Sequence, residues 1–240
     1  MKALPNDFTG ERADASAAVP PLPRRVAIVD ASPSGGDAAT AFLLGDFAEA
    51  FAAYARHGAL DEGSIPALER FPSSDDEAAG LDAPMRFDTV VLGLAICADG
   101  PTGRPPRHMD DLFERIRKAA VPGARVYAVC SAKSYGAGPI EPSFEALERS
   151  CAQAGLSWCG GLAVGGSAMI DGALRGAPRM GGIRRRLSEA TDRLILAVRC
   201  GEPAGIIETN PPIPRFAYSI FVEARRRREA GANGAAGPEA

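Results

Sequence analysis

The stretch Ser32-Pro33-Ser34-Gly35-Gly36-Asp37-Ala38-Ala39-Thr40 brings three hydroxyls, two flexible glycines and the start of a helix into nine residues. It follows a short apolar strand. Backbone N–H groups and the helix dipole at such a turn can hold a phosphate. The pattern is neither a GxGxxG dinucleotide fingerprint nor a Walker loop, since no GK[ST] closes it. A plain strand-to-helix turn with Asp37 as N-cap accounts for the same residues. Spacing alone does not choose between the two.

Other chemistry-bearing residues are sparse. His57 falls at a helix end and His108 at a helix start beside Asp110 and Asp111, where both read as solvated terminal residues rather than catalytic bases. Gly165-Gly166-Ser167-Ala168-Met169 lacks the last glycine of a nucleophile elbow, so a Ser/His/Asp hydrolase is only a weak third reading. Lys133 lies near a strand end, where it could meet a phosphate or nucleotide charge, or stand solvated in a loop. The five cysteines, Cys97, Cys130, Cys151, Cys159 and Cys200, form no CxxC pair. They indicate neither a disulfide framework nor a metal site, and suit small reduced residues in a cytoplasmic protein. No catalytic side chain and no metal-ligand set emerges.

The elements that must position this loop alternate between strand and helix. Arg25–Asp30 reads as a strand, and Asp37–His57 as a helix with Phe42, Leu43, Phe47, Phe51 and Tyr54 on one stripe. A weak second strand falls near Ala59–Leu68. Phe87–Leu94 reads as a buried parallel strand, followed by a Pro/Gly loop and a helix over about His108–Ala120. Arg125–Cys130 is a further strand, and Ser143–Ala154 a helix closed by Gly155. Leu156–Val164 reads as the final strand. Two helices follow, over Ile183–Arg199 and Pro214–Arg228. Gly165–Gly182 is long for a loop and suits a lid or a partner surface. Repeated βαβ units imply a parallel sheet with right-handed crossovers. Residues 1–23 read as a disordered leader, 24–200 as one doubly wound domain, 201–230 as a helical appendage and 231–240 as a disordered tail.

These residues resemble flavodoxin-like proteins of the NAD(P)H-dependent FMN reductase type. Beyond the first turn, Ala95-Ile96-Cys97-Ala98-Asp99-Gly100 is similar to the loop that borders the flavin ring in one branch of that family. Gly138-Pro139-Ile140-Glu141-Pro142, the glycine-rich run Leu156–Gly166 and Pro214-Arg215-Phe216-Ala217-Tyr218 resemble its later motifs in order and spacing. The match spans about residues 25–228. The resemblance implies a five-stranded parallel sheet of order 2-1-3-4-5 with extra C-terminal helices. It implies FMN held by Ser32, Ser34, Gly35, Gly36 and Thr40 at the phosphate. Around the ring it implies Ala95, Ile96, Cys97, Asp99, Gly100, Ser131, Ala132 and Tyr135. Electrons would pass from NAD(P)H through flavin to a small-molecule acceptor.

The departures weaken that site. Ser34 stands where relatives carry a basic residue, and Ala38 where they carry a serine. An Asp37 carboxylate about 4 Å from a phosphate would cost roughly 1–4 kcal/mol unless it turned outward as a cap. Cys97 replaces an aromatic residue, worth roughly 1 kcal/mol of stacking, and Ala95 a proline. The alternative is a flavin-free binding or interaction protein on the same fold.

Composition bounds both readings. Of 240 residues 46% are hydrophobic, but 45 are alanine. The larger aliphatics and phenylalanine number only 50, enough for one core with the tails outside it. No apolar run suits a membrane span, and no secretory signal opens the chain. The net charge of −3 argues against general nucleic-acid binding. Charge is uneven, with twelve acids against three arginines between Asp37 and Asp99, and arginine runs at 184–186 and 225–228. Those runs read as solvated helix faces, or as contacts to an acidic partner or to the acidic 37–99 segment of another subunit in a homodimer.

Overall fold

The computed structural model describes residues 22–32, 38–58, 65–71, 86–96, 109–170 and 174–235. Among the described residues the strands and α-helices follow in order: β1 (Arg25–Asp30), α1 (Ala38–Gly58), β2 (Ala67–Phe71), β3 (Phe87–Ile96), α2 (Met109–Ala119), β4 (Ala120–Ala132), α3 (Glu141–Ala154), β5 (Ser157–Val164), α4 (Arg185–Cys200), β6 (Gly205–Thr209) and α5 (Arg215–Ala235). The strands make one parallel sheet of order β2-β1-β3-β4-β5-β6. This is a flavodoxin-like doubly wound sheet with a sixth strand on its β5 edge. The five-strand expectation is corrected by β6, which falls inside the stretch read as a helical appendage. The second strand lies at Ala67–Phe71 rather than near 59–68; residues 59–64 are outside the described set.

The near-continuous apolar runs of β3 and β4 are buried on both faces, as central parallel strands require. One face packs α2 and α3 through Phe113, Ile116, Phe144 and Leu147 against Val90, Leu92, Val126 and Cys130. The other packs α1 and α4 through Leu43, Phe47, Phe51, Leu194 and Val198 against Ile28, Val91, Tyr127, Val129 and Leu162. Gly155 ends α3 at φ +70° and takes the left-handed conformation that glycine tolerates best.

The layers also fix the hand of the four crossovers whose helices are described. The α2 and α3 connections move across the sheet in one direction on one face, and α1 moves the opposite way on the other face, so these three share a hand. The connection β5-α4-β6 moves in the direction of α2 and α3 but on the α1 face. It therefore has the opposite hand, a departure from the expected right-handed crossovers and from nearly all such units. The reason lies in coverage. Without α4, Leu162, Val164 and the β5 side of Tyr127 would face water, and burying that apolar area outweighs the usual chirality.

That unusual crossover is fastened to α1. Asp46 Oδ1 accepts from Arg179 Nη1 at 2.8 Å and from Arg184 Nη2, while Arg179 Nη2 also reaches Asp192 Oδ1. The Arg184 guanidinium lies 4.7 Å from the Phe42 ring centroid. Arg175 Nη2 donates to Ala38 O at 2.9 Å. Within the stretch 165–182 expected as a lid or partner surface, residues 174–182 are thus clasped along one helix, together with Ile183 and Arg184. Arg184, expected on a solvated face, is buried.

Burial also controls the thiols. It pushes Cys151 up to about 12 from an ordinary 9.0 and raises Cys130 and Cys159 as well. In the unfolded chain these thiols ionise near pH 9, whereas in the fold they stay neutral. Their contribution is complete below about pH 9 and is lost as pH rises toward 12. A series of thermal melts is expected to show Tm level up to about pH 8 and falling above 9. Half-buried Cys200 is expected to alkylate before Cys130 and Cys151 in native protein. Equal labelling of all three would contradict this burial.

Candidate functional site

The chain leaves β1 toward β2 and leaves β3 toward β4, so the order reverses between β1 and β3. Ligands of doubly wound sheets bind beyond the strand ends at such a point. The rim there is built from Ser32 after β1, Ala95 and Ile96 at the end of β3, and Ser131 and Ala132 at the end of β4. Ala95 pairs with Ser131 and Ile96 with Ala132 in the sheet register. Ala31 N donates to Gly93 O at 2.8 Å, and Ser32 N to Asp30 Oδ1 at 3.0 Å, which turns the chain out of β1.

Gly93 sets how closely α1 approaches this rim. A Cβ there would stand 2.5 Å from Leu44 Cδ1 and 2.9 Å from Thr40 Cγ2. With no side chain on Gly93, the first turns of α1 lie on the backbone of β3. Thr40 Oγ1 then meets Ser131 Oγ at 3.0 Å, with both residues almost fully buried. This pair joins the helix after β1 to the end of β4. Arg175 brings its guanidinium to the carbonyl of Ala38, in the first turn of α1.

The structure therefore brings Ser32, Thr40, Ala95, Ile96, Ser131 and Ala132 together at the switch point. Ser34, Gly35, Gly36, Cys97, Asp99 and Gly100 lie outside the described residues, as does Asp37. Tyr135 turns toward the β6 side of the rim. Its hydroxyl donates to Ile213 O at 2.9 Å, and its ring tilts against that of Tyr218 at 5.6 Å.

Sequence reasoning assigned no role to Tyr218. It is buried, and its hydroxyl donates to Lys133 O. Gly166 N donates to Ser134 O, and a Cβ on Gly165 would come within 2.5 Å of Tyr135 O. The turn 133–136 after β4 is thus held from behind by the ends of β5 and β6 and by α5. Tyr218→Phe leaves the Lys133 carbonyl without that donor. It is expected to cost about 1–2 kcal/mol and to speed amide exchange in residues 133–136 before the sheet core. Unchanged exchange there would show that the turn holds itself.

No family model matches the chain, and no curated protein matches it. Among solved structures, it is similar to the Trp repressor binding protein from Bacillus subtilis, at 14% identity and TM-score 0.39 over 70% of this chain and 96% of that one. The NAD(P)H:quinone oxidoreductase from Methanothermobacter marburgensis gives 15% and 0.38 over 73% and 98%. An azoreductase from Bacillus anthracis gives 11% and 0.38 over 75% and 97%.

Proposed function

We propose that this chain binds FMN at the β1/β3 switch point and passes electrons from NAD(P)H through it to a small-molecule acceptor. The observation that carries the reading is the rim itself: Ser32 and the start of α1 stand beside the ends of β3 and β4, and the Arg175 guanidinium sits on the first-turn carbonyl of Ala38. This donor set suits a phosphate. Arg175 brings positive charge from 137 residues along the chain to the first turn of α1, offsetting the basic residue that Ser34 replaces. Ser32 and the helix N-terminus would hold the phosphate, and Ala95 and Ile96 would border the ring. Flavin, when bound, supplies the hydride acceptance and electron transfer. The protein supplies orientation and exclusion of water. Thr40 and Ser131 hold each other, so their part is to fix α1 against β4 rather than to donate to a ligand.

That same pairing favours the second reading, a flavin-free interaction protein, because two hydroxyls of the expected shell are already satisfied. Turnover separates the two. Protein supplied with FMN is expected to consume NADH or NADPH when a quinone or azo dye is added. No consumption with either nucleotide across both acceptors favours the interaction protein. A cytoplasmic location and the absence of nucleic-acid and membrane partners belong to the same proposal. Among the described residues, no helix is long and apolar enough to cross a membrane.

A further inference from the structure

The clasp on α1 and the arginine at its first turn belong to one chain of contacts. Asp46, buried on α1, holds Arg184 Nη2. The other arm of that guanidinium, Nη1, donates to Ala177 O at 3.3 Å. Ala177 N donates in turn to Leu174 O at 3.2 Å, closing the turn that carries Arg175. Arg175 Nη2 ends the path on Ala38 O at 2.9 Å. Arg179 fastens the same segment a second time. Its Nη1 meets Asp46 Oδ1 at 2.8 Å, its Nη2 meets Asp192 Oδ1, and its carbonyl accepts from Ser188 Oγ at 2.6 Å. Asp46 stands eight residues after Ala38 in the helix, about 12 Å along its axis. Segment 174–184 therefore runs beside α1 from its third turn to its first.

The first turn is a poor place for a cation unless something holds it there. A helix N-terminus carries partial positive charge, so a guanidinium gains nothing from the macrodipole. An exposed arginine also loses rotamer freedom when it is fixed in one position. Arg175 is exposed, and the turn that carries it is tied to a buried carboxylate on the very helix it reaches. A phosphate at that turn reverses the electrostatics, because helix terminus and guanidinium both favour it. We propose that Asp46 is a positioning residue for the phosphate of FMN: through Arg184 and Ala177 it sets Arg175 at the first turn of α1. The inference rests on the flavin reading and adds to it a means of selecting a phosphorylated flavin over one without phosphate.

The test compares FMN with riboflavin, which lacks the phosphate, by fluorescence quenching with the full-length protein. Arg175→Ala is expected to weaken FMN at least about tenfold and riboflavin less than about twofold. The clasp is removed with the double variant Asp46→Leu, Arg184→Met, which leaves Arg179 on Asp192 and no buried charge without a partner in the clasp. It is expected to weaken FMN about fivefold, to spare riboflavin, and to make Arg175→Ala nearly silent when added to it. Arg184→Lys keeps a cation beside Asp46 but lacks the forked second arm to Ala177 O, and is expected to show the same split between the flavins. Full FMN affinity in the double variant, or a loss shared equally by riboflavin, would overturn the positioning role and leave the flavin reading in place. Wild type that binds neither flavin would overturn the flavin reading, and the positioning role with it.

Discussion

Asp46→Ala is expected to destabilise the fold by about 3–5 kcal/mol, the range for removing one partner of a buried ionic group. The Asp46 carboxylate takes both Arg179 and Arg184, and the side chains of Asp46 and Arg184 are only 8% and 9% exposed. Without the carboxylate, Arg184 keeps its Ala177 carbonyl contact at 3.3 Å and the Phe42 ring, but no counter-charge among the described residues. Arg179 retains Asp192. For a chain of this length the loss corresponds to a fall in Tm of roughly 6–20 °C. The segment 174–184 should also become open to trypsin at its arginines. The double variant Asp46→Leu, Arg184→Met removes both charges and is expected to regain most of the lost stability, leaving Arg179 paired with Asp192. A fall below about 2 °C for Asp46→Ala would mean that the clasp does not hold the crossover.

Gly93→Ala is the second large effect, and it couples fold to site. Leu44 Cδ1 could swing aside, but Leu44 is buried in the α1 face of the core, so a new rotamer meets other side chains. Thr40 is β-branched, stiff at χ1 and hydrogen-bonded to Ser131. Helix α1 must therefore move outward as a body. Overpacking of this kind costs about 1–3 kcal/mol. Because the same movement carries the first turn of α1 away from the strand ends, FMN affinity is expected to fall about tenfold or more, equivalent to about 1.4 kcal/mol. A stability loss without any change in FMN affinity would place the flavin elsewhere.

Much of the fold was legible because its central strands are apolar runs that only a doubly covered sheet can bury. Phe87–Leu94 and Arg125–Cys130 could hardly be anything else. The edges were harder. In β2, Glu69 and Arg70 lie on an edge strand and dilute the apolar signal, so the sequence pattern points several residues too early. In β6, five residues carry only two isoleucines, of which Ile206 is 53% exposed and Ile207 is buried, and prolines follow at once. Such a fragment gains strand character only from pairing with β5. The hand of the last crossover could not be read either, because it depends on which sheet face remains bare.

At the site, the loop after β1 and the strand-end residues were recognisable from order and spacing. The contacts that fix them were not. Thr40 and Ser131 are 91 residues apart, and Arg184 and Asp46 are 138 apart. The arginine run shows that charge is present but not that its members divide between a buried clasp and a surface pair. Tyr218 lies within a motif whose order is visible in the sequence, but its bond to Lys133 O depends on α5 returning over the strand ends.

The central claim, that the β1/β3 rim holds FMN, is tested most directly by titrating FMN with the purified full-length protein and following flavin fluorescence. Saturable quenching at one FMN per chain is expected, weakened by Gly93→Ala and by Arg175→Glu. Fluorescence that stays unchanged with a colourless protein at concentrations well above those of the flavin would contradict it.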